Sequence, residues 1–561
     1  MIFDKKHIIF IFINLISFNF FSQEKIKNNF RSPIGIPIHL SGNFGELRSN
    51  HFHSGLDIKT NGAINYRIYS IEKGWVSRIN ISHWGYGKAI YVDHPNGFTS
   101  VYAHLNHFPL KIEKYLREFQ YKSLSESVNY YLDSNLIKVE KGEIIAFSGN
   151  SGGSLGPHLH FEIRDTKTEH PLNPQLFGFD INDDIPPVIN ELKLYHFKNN
   201  LYNHICDDQG YRLTKSANNY YLKNDSVISI QGKFGIGVST VDYYNNSNNK
   251  CGIYKAELFL DEQLYFELKI DELDFETTKQ INVYKDYKAY QNNMESIHKL
   301  FIHPLNNLSF YNINLGDGTL EIKDDSLHKI TVKVSDINNN SSFLNFYVKS
   351  TSKTNRSKDT ILKEFNNKIV NKDSSCIILL DSNTLYNRQE INLKYKNILQ
   401  IGSKDIPVNK SFAVYLKLKH PVDDYSNKLF LAHFDDKGKI KNRKGKINNG
   451  WLETKVNHFG DFQLMMDTVP PLIKPIYQPE EIKTNDVLKF KLTDDLSGVD
   501  SYQVSFDDKW VLANYNYKTA QLKIPIDRYT KLENKKYNCL IIAKDERNNE
   551  VKYSFKIFVH N

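Results

Sequence analysis

The stretch Gly156-Pro157-His158-Leu159-His160-Phe161-Glu162 decides how the chain is read. Its apolar, strand-like run predicts a β-strand, and side chains at i and i+2 of a strand share a face. His158 and His160 can therefore enter one site together. The approach to them, Gly149-Asn150-Ser151-Gly152-Gly153-Ser154, is rich in turn-forming residues and closes on Gly156-Pro157. That is turn chemistry set just ahead of a strand. Two histidines alone are a weak metal signal, so the reading depends on partners elsewhere in the chain.

His53-Ser54-Gly55-Leu56-Asp57 offers a histidine and an aspartate with three residues between them. Imidazole and carboxylate both suit zinc, at about 2.0–2.2 Å each. One histidine of the later pair completes a His, Asp, His set. Three protein ligands leave a fourth position for water, the catalytic rather than the structural arrangement. Such a metal brings the water's pKa to about 7 and polarises a carbonyl. A base must then take a proton, and a group must steady the developing oxyanion. His104, in Val101-Tyr102-Ala103-His104-Leu105, is a candidate for that work, and so is whichever of His158 and His160 does not bind metal.

These three motifs, in this order, closely resemble the lysostaphin/LytM-type zinc metallopeptidases. Flanking features agree: Gly45 and Arg48 before the first motif, Gly85-Tyr86-Gly87 before the second, Gly149-Asn150-Ser151-Gly152 before the third. The resemblance spans residues 35–176. It implies His53, Asp57 and His160 as ligands of one Zn2+ ion, and His104 and His158 as the catalytic histidines that bind no metal. The implied fold is an antiparallel β-sheet peptidase domain of the duplicated hybrid type with a groove. The implied activity is endopeptidase cleavage of peptidoglycan cross-links, with wall peptide as substrate. The alternative is a catalytically silent, wall-binding or amidase-regulating relative, a class that typically lacks one or more ligands. All five motif residues are present here. Glu162 shares the face of His160, which leaves both a supporting hydrogen bond to that ring and a plain surface salt bridge open. Arg48 either positions a substrate carboxylate or holds a loop.

Around this core the chain reads as mainly β. Its 34 Tyr and 35 Phe, against 28 Gly and 17 Pro, favour strands. Its 561 residues suggest about three to five domains. Within residues 30–180, Gly87–Asp93 and Phe98–His104 flank His94-Pro95-Asn96-Gly97, a hairpin signal. Ile71–Val76 resembles Val139–Ile144, a weak internal repeat. Leu110 to about Tyr131 carries Ile112, Tyr115, Leu116 and Phe119 at helical spacing and predicts a helical insertion.

Downstream, Asp184-Ile185-Pro186-Pro187-Val188-Ile189 recurs as Thr468-Val469-Pro470-Pro471-Leu472-Ile473. Each copy closes with a strand that ends in Asp and an Asn-containing turn. This predicts immunoglobulin-like β-sandwich modules over 184–350 and 467–561, the first carrying a helical stretch near 284–301. A polar linker, 351–372, and a further β-module, 373–466, lie between them.

Residues 1–22 have the form of an export signal: Lys5 and Lys6, then an apolar run too short for a comfortable membrane span. The expected location is the periplasm or cell envelope, or outside the cell, with no membrane span after signal cleavage. The net charge of +8 is spread thinly, without the basic stripe of a nucleic-acid binder. The C-terminal modules carry no chemical motif and are read as tethers, spacers or gates, with a protein partner as one use. The four cysteines, Cys206, Cys251, Cys376 and Cys539, leave a Cys206–Cys251 disulfide and free buried thiols both open.

Overall fold

The computed structural model describes residues 29–197, 208–224, 227–351, 367–387, 389–419, 426–435 and 438–560. Residues 1–22, expected to be an export signal, Cys206 and most of the expected linker fall outside them. Residues 29–180 build an antiparallel sheet from β1 (Leu40–Gly42), β2 (Leu56–Lys59), β4 (Gly74–Ile81), β5 (Lys88–Asp93), β6 (Phe98–Ala103), β7 (Val128–Tyr131) and β10 (His158–Asp165). Their order is β1-β2-β10-β6-β5-β4-β7. β8 (Lys138–Val139) pairs with β4, and β11 (Pro171–Leu172) pairs with β10. β3 (Arg67–Tyr69) and β9 (Ile144–Phe147) form a small separate ribbon.

The strand carrying the histidine pair is central. Alternation explains its placement: Leu159, Phe161 and Ile163 point to one face and are fully buried in the core. His158, His160 and Glu162 take the other face. Register brings the site together, because His160 lies opposite Asp57 of β2 on one side and Ala103 of β6 on the other. The β5–β6 hairpin forms as its turn residues predict, with Gly97 at φ 86°.

The insertion is only partly helical. Helix α1 (Leu110–Ser123) buries Ile112, Leu116 and Gln120 and ends at Leu124 in the left-handed conformation. Val128–Tyr131 then turns into β7 and extends the sheet beside β4, its backbone groups satisfied by strand pairing. The expected 284–301 helix is likewise broken into Ile281–Tyr284, Tyr287–Asn293 and a strand, Ile297–Lys299. Asp286 accepts a hydrogen bond from the Ala289 amide and starts the second helix.

Three cores hold the remainder. One runs without interruption from Ile34 to Val348, so the peptidase-like sheet and the module after it share apolar packing. The second joins two five-stranded sheets between Lys368 and Met466. The third joins a four-stranded and a five-stranded sheet between Leu472 and His560. The last two are β-sandwiches, as the sequence predicts, while residues 188–350 form one connected 11-stranded sheet. Cys251, Cys376 and Cys539 are free, buried thiols, and Cys206 lies outside the described residues. Among the described residues no helix is long and apolar enough to cross a membrane.

Candidate metal centre

His53, Asp57 and His160 converge. His53 Nε2 lies 3.0 Å from Asp57 Oδ1 and 3.1 Å from His160 Nδ1, and His160 Nδ1 lies 3.0 Å from Asp57 Oδ1. A tetrahedral metal with ligands at about 2.0–2.1 Å sets its ligand atoms about 3.3 Å apart. The observed triangle is slightly tighter than one face of that tetrahedron.

The far side of each ligand is already engaged. His53 Nδ1 donates to the Asn43 carbonyl at 2.7 Å, and His160 Nε2 donates to Glu162 Oε1 at 2.8 Å. Arg48 Nη2 holds Asp57 Oδ2 at 2.9 Å, which leaves Oδ1 for the centre. With those tautomers, two ring nitrogens and one carboxylate oxygen face each other as lone-pair acceptors. Such an arrangement calls for a cation, and its N, N, O donor set fits zinc. Without one, a proton takes the place: burial pulls the His160 pKa down, but the Asp57 and Glu162 carboxylates outweigh it and raise it to about 9. Asp57 is held well below the usual carboxylate range. Burial opposes this, and His53 together with hydrogen bonds from His158 and His160 prevails.

Glu162 is fully buried, which removes the surface salt bridge from consideration. It accepts from Ser54 Oγ at 2.6 Å and Tyr86 Oη at 2.5 Å as well as from His160. Its second oxygen takes Arg164 Nε at 2.7 Å and Nη2 at 2.6 Å. Arg48, the other residue with two readings, holds both Asp57 and Glu46 in the loop ahead of β2.

The remaining two predicted histidines flank the triangle. His158 Nε2 lies 3.4 Å from Asp57 Oδ1, while its Nδ1 reaches the Gly156 carbonyl at 2.9 Å. The His104 ring lies 4.7 Å from that of His158 and 5.8 Å from that of His160, between centroids. His104 Nδ1 donates to the Ser151 carbonyl at 2.9 Å, which directs Nε2 away from that loop. Burial first, then the neighbouring His160 and His158, lower its pKa to about 3, so it is neutral near pH 7. His104 also sits at φ +58°, an uncommon backbone state for a residue with a side chain. The glycines around it allow this fold-back. A side chain at Gly87 (φ +65°) would meet the backbone of Gly152 at 2.4 Å.

Two supports were invisible in sequence. Asn43 is clasped by Gly252, with Nδ2 donating to the Gly252 carbonyl and Gly252 N donating to Oδ1, each at 2.7 Å. The last sandwich also returns to the site's rim. Tyr517 Oη donates to the Gly152 carbonyl at 2.9 Å, and Lys518 Nζ reaches the Asn150 and Ser154 carbonyls at 2.7 and 2.5 Å. The insertion serves this docking: Tyr121 packs edge-on against Trp510, and Glu126 accepts from Tyr502 Oη and the Tyr515 amide. No local pattern marks these contacts. Arg164 was legible in principle, as it shares the face of Glu162 two residues on.

Residues 51–121 match the model described as Peptidase family M23, and residues 364–467 match a Zu5-like domain. The chain is 36% identical over 90 residues to the DD-carboxypeptidase/endopeptidase Mpg of Neisseria meningitidis serogroup B, covering 16% of this chain and 15% of that protein. It is 28% identical over 127 residues to an uncharacterized metalloprotease of Haemophilus influenzae, covering 22% of each. The catalytic domain of the antimicrobial peptidase lysostaphin from Staphylococcus simulans is 22% identical, covering 24% of this chain and 87% of that one, with a TM-score of 0.18. The chain thus spans less than a quarter of the length of the curated relatives it matches.

Proposed function

From the premise that this chain carries a LytM-type metallopeptidase domain of family M23, we propose that it is an exported zinc endopeptidase that hydrolyses peptide cross-links of peptidoglycan. The observation that carries the reading is the triangle of His53 Nε2, Asp57 Oδ1 and His160 Nδ1, each with its opposite atom tied by Asn43, Arg48 or Glu162. The full complement of motif residues speaks against the silent, wall-binding alternative. Export rests on the form of residues 1–22, and wall peptide as substrate rests on the relatives. The proposed organisation is signal 1–22, peptidase domain 30–180, immunoglobulin-like modules 184–350 and 467–561, linker 351–372 and β-module 373–466.

In this reading His53, Asp57 and His160 hold the metal. A bound zinc ion supplies Lewis acidity, bringing the pKa of water to about 7 and polarising the scissile carbonyl. The chain's own residues handle the protons. His104 and His158 are each tied at Nδ1 to a backbone carbonyl, and with Asp57 Oδ1 committed to the metal each would present an Nε2 lone pair to the site. Either can take the proton of the attacking water. The imidazolium so formed is a cation facing the developing oxyanion and can return its proton to the leaving amine.

His160→Ala is expected to abolish zinc binding and the release of peptides from purified sacculi. His158→Ala is expected to keep zinc and lose turnover. Peptide release by His160→Ala would sink the metal assignment. A zinc-loaded wild type that releases no peptide would favour the silent reading.

A further inference from the structure

The Pro-Pro repeat contains a second cluster of chemistry. In the first copy, Asp183 precedes Pro186-Pro187, Asp242 follows the strand Lys233–Val241, and Asp336 follows the strand Leu327–Ser335. Carboxylate oxygens of all three lie within 4.8 Å of one another. In the last copy Asp467, Asp494 and Asp545 occupy the same places and meet in the same way. The turns repeat in detail. Asp336 Oδ1 accepts from the amides of Asn338 and Asn340, and Asp545 Oδ1 accepts from those of Arg547 and Asn549. The Asn340 and Asn549 side chains then reach the carbonyls of Asp183 and Asp467.

The copies differ in how their charge is met. In the last copy, amide N–H groups fill both oxygens of Asp467, through Val469 and Ser497, and Asp494 Oδ1, through Leu496 and Gly498. In the first copy Asp242 is fully buried, and neither of its oxygens has a hydrogen-bond partner. Asp183 Oδ2 is buried and unpartnered as well. Among the described residues no lysine, arginine or histidine pairs with any of the three. A buried carboxylate without donors is among the costliest groups a fold can hold.

We propose that Asp183, Asp242 and Asp336 form a calcium site at the root of the first module. Only oxygen atoms converge there, which selects a hard cation over zinc. A buried cage of three carboxylates suits calcium, whereas magnesium usually keeps several waters and avoids all-protein cages. Without a cation the site must take protons. Burial, then mutual repulsion, raises Asp242 to about 9, and burial leads the rise of Asp183 to about 7. The site is also placed to matter. The segment after Asp242 runs through Tyr244, which contacts Asn43, to Gly252, which clasps it. The proposal is confined to the first copy and does not depend on the peptidase reading.

Full-length protein is stripped with chelator, reloaded with one equivalent of zinc, and melted in calcium from about 0.01 to 10 mM, the range that spans sensor and extracellular sites. Above its Kd, calcium is expected to raise the Tm of the unit containing this module by about 2 °C per tenfold increase. Magnesium at equal concentration is expected to leave Tm in place. Asp242→Asn is expected to lose the calcium response and to melt no lower than wild type in chelator, since it replaces a buried carboxyl that, without a cation, must hold a proton. Asp183→Asn, at a partly exposed position, gives a second variant with the same expected loss. A wild-type Tm indifferent to calcium, an equal response to magnesium, or a calcium response that survives in both variants would overturn the proposal.

Discussion

Replacing Glu162 by Gln tests whether the metal centre depends on support beyond its ligands. Glu162 gathers five donor contacts on two oxygens: His160, Ser54 and Tyr86 on one, and two nitrogens of Arg164 on the other. An amide keeps one acceptor and turns the other oxygen into a donor. If the amide oxygen stays with His160, its NH2 faces Arg164 donor to donor. The buried guanidinium then loses its counter-charge, a change that typically costs about 3–5 kcal/mol of stability. If the amide flips, its NH2 meets the Nε2–H of His160, and the ring loses the bond that fixes Nδ1 toward the centre. Loss of such a ligand-orienting partner lowers metal affinity by about 10–100-fold, or about 1.4–2.8 kcal/mol. Zinc competition against a chromophoric chelator reads the second effect, and urea unfolding reads the first. A Glu162→Gln protein that keeps both zinc affinity within about twofold of wild type and wild-type stability in urea would refute the reasoning, because one of the two ties must break.

His104 gives a pH prediction with a definite sign. Its folded pKa, about 3, lies below the ordinary histidine value of about 6.5, so the unfolded chain binds more protons between these limits. Stability is present above pH 6.5 and falls as the pH drops toward 3, by about 2 kcal/mol from pH 6.5 to 5 for this residue alone. His104→Asn, whose new side chain tolerates the positive φ, should lose that share of the acid sensitivity when metal-free proteins are unfolded in urea at the two pH values. An unchanged pH slope would mean that His104 is not buried neutral. A third prediction concerns the rim: Lys518→Ala removes donors to the Asn150 and Ser154 carbonyls, so amide exchange over residues 149–156 should speed up. Equal exchange would show that the last sandwich does not restrain that loop.

What could be read from the sequence was what short-range geometry dictates. The strand period alone puts His158, His160 and Glu162 on one face, and the Asn-Gly turn fixes the hairpin that ends at His104. The helical spacing of Ile112, Leu116 and Phe119 located α1, but not the point where Leu124 reverses the chain to begin β7. The rest was hidden because it lies between segments far apart in sequence. Asn43 and Gly252 are separated by 209 positions, and Lys518 and Asn150 by 368. Glu162 was ambiguous for a related reason. Its role depended on burial, and burial is set in part by Ser54 and Tyr86 arriving from two other segments.

The clasp between Asn43 and Gly252 bears on what counts as a portable piece of this protein. The motif-bearing stretch looks detachable, a cassette that recombination could move from one chain to another. Cut at residue 180, it would keep every predicted ligand and lose the two bonds that seat the residue behind His53. It would also expose apolar surface that continues into the next β-module. The smallest unit that can be inherited, transplanted or trimmed with its centre intact therefore ends near residue 350. A β-module with no catalytic motif of its own is part of the centre's hereditary minimum.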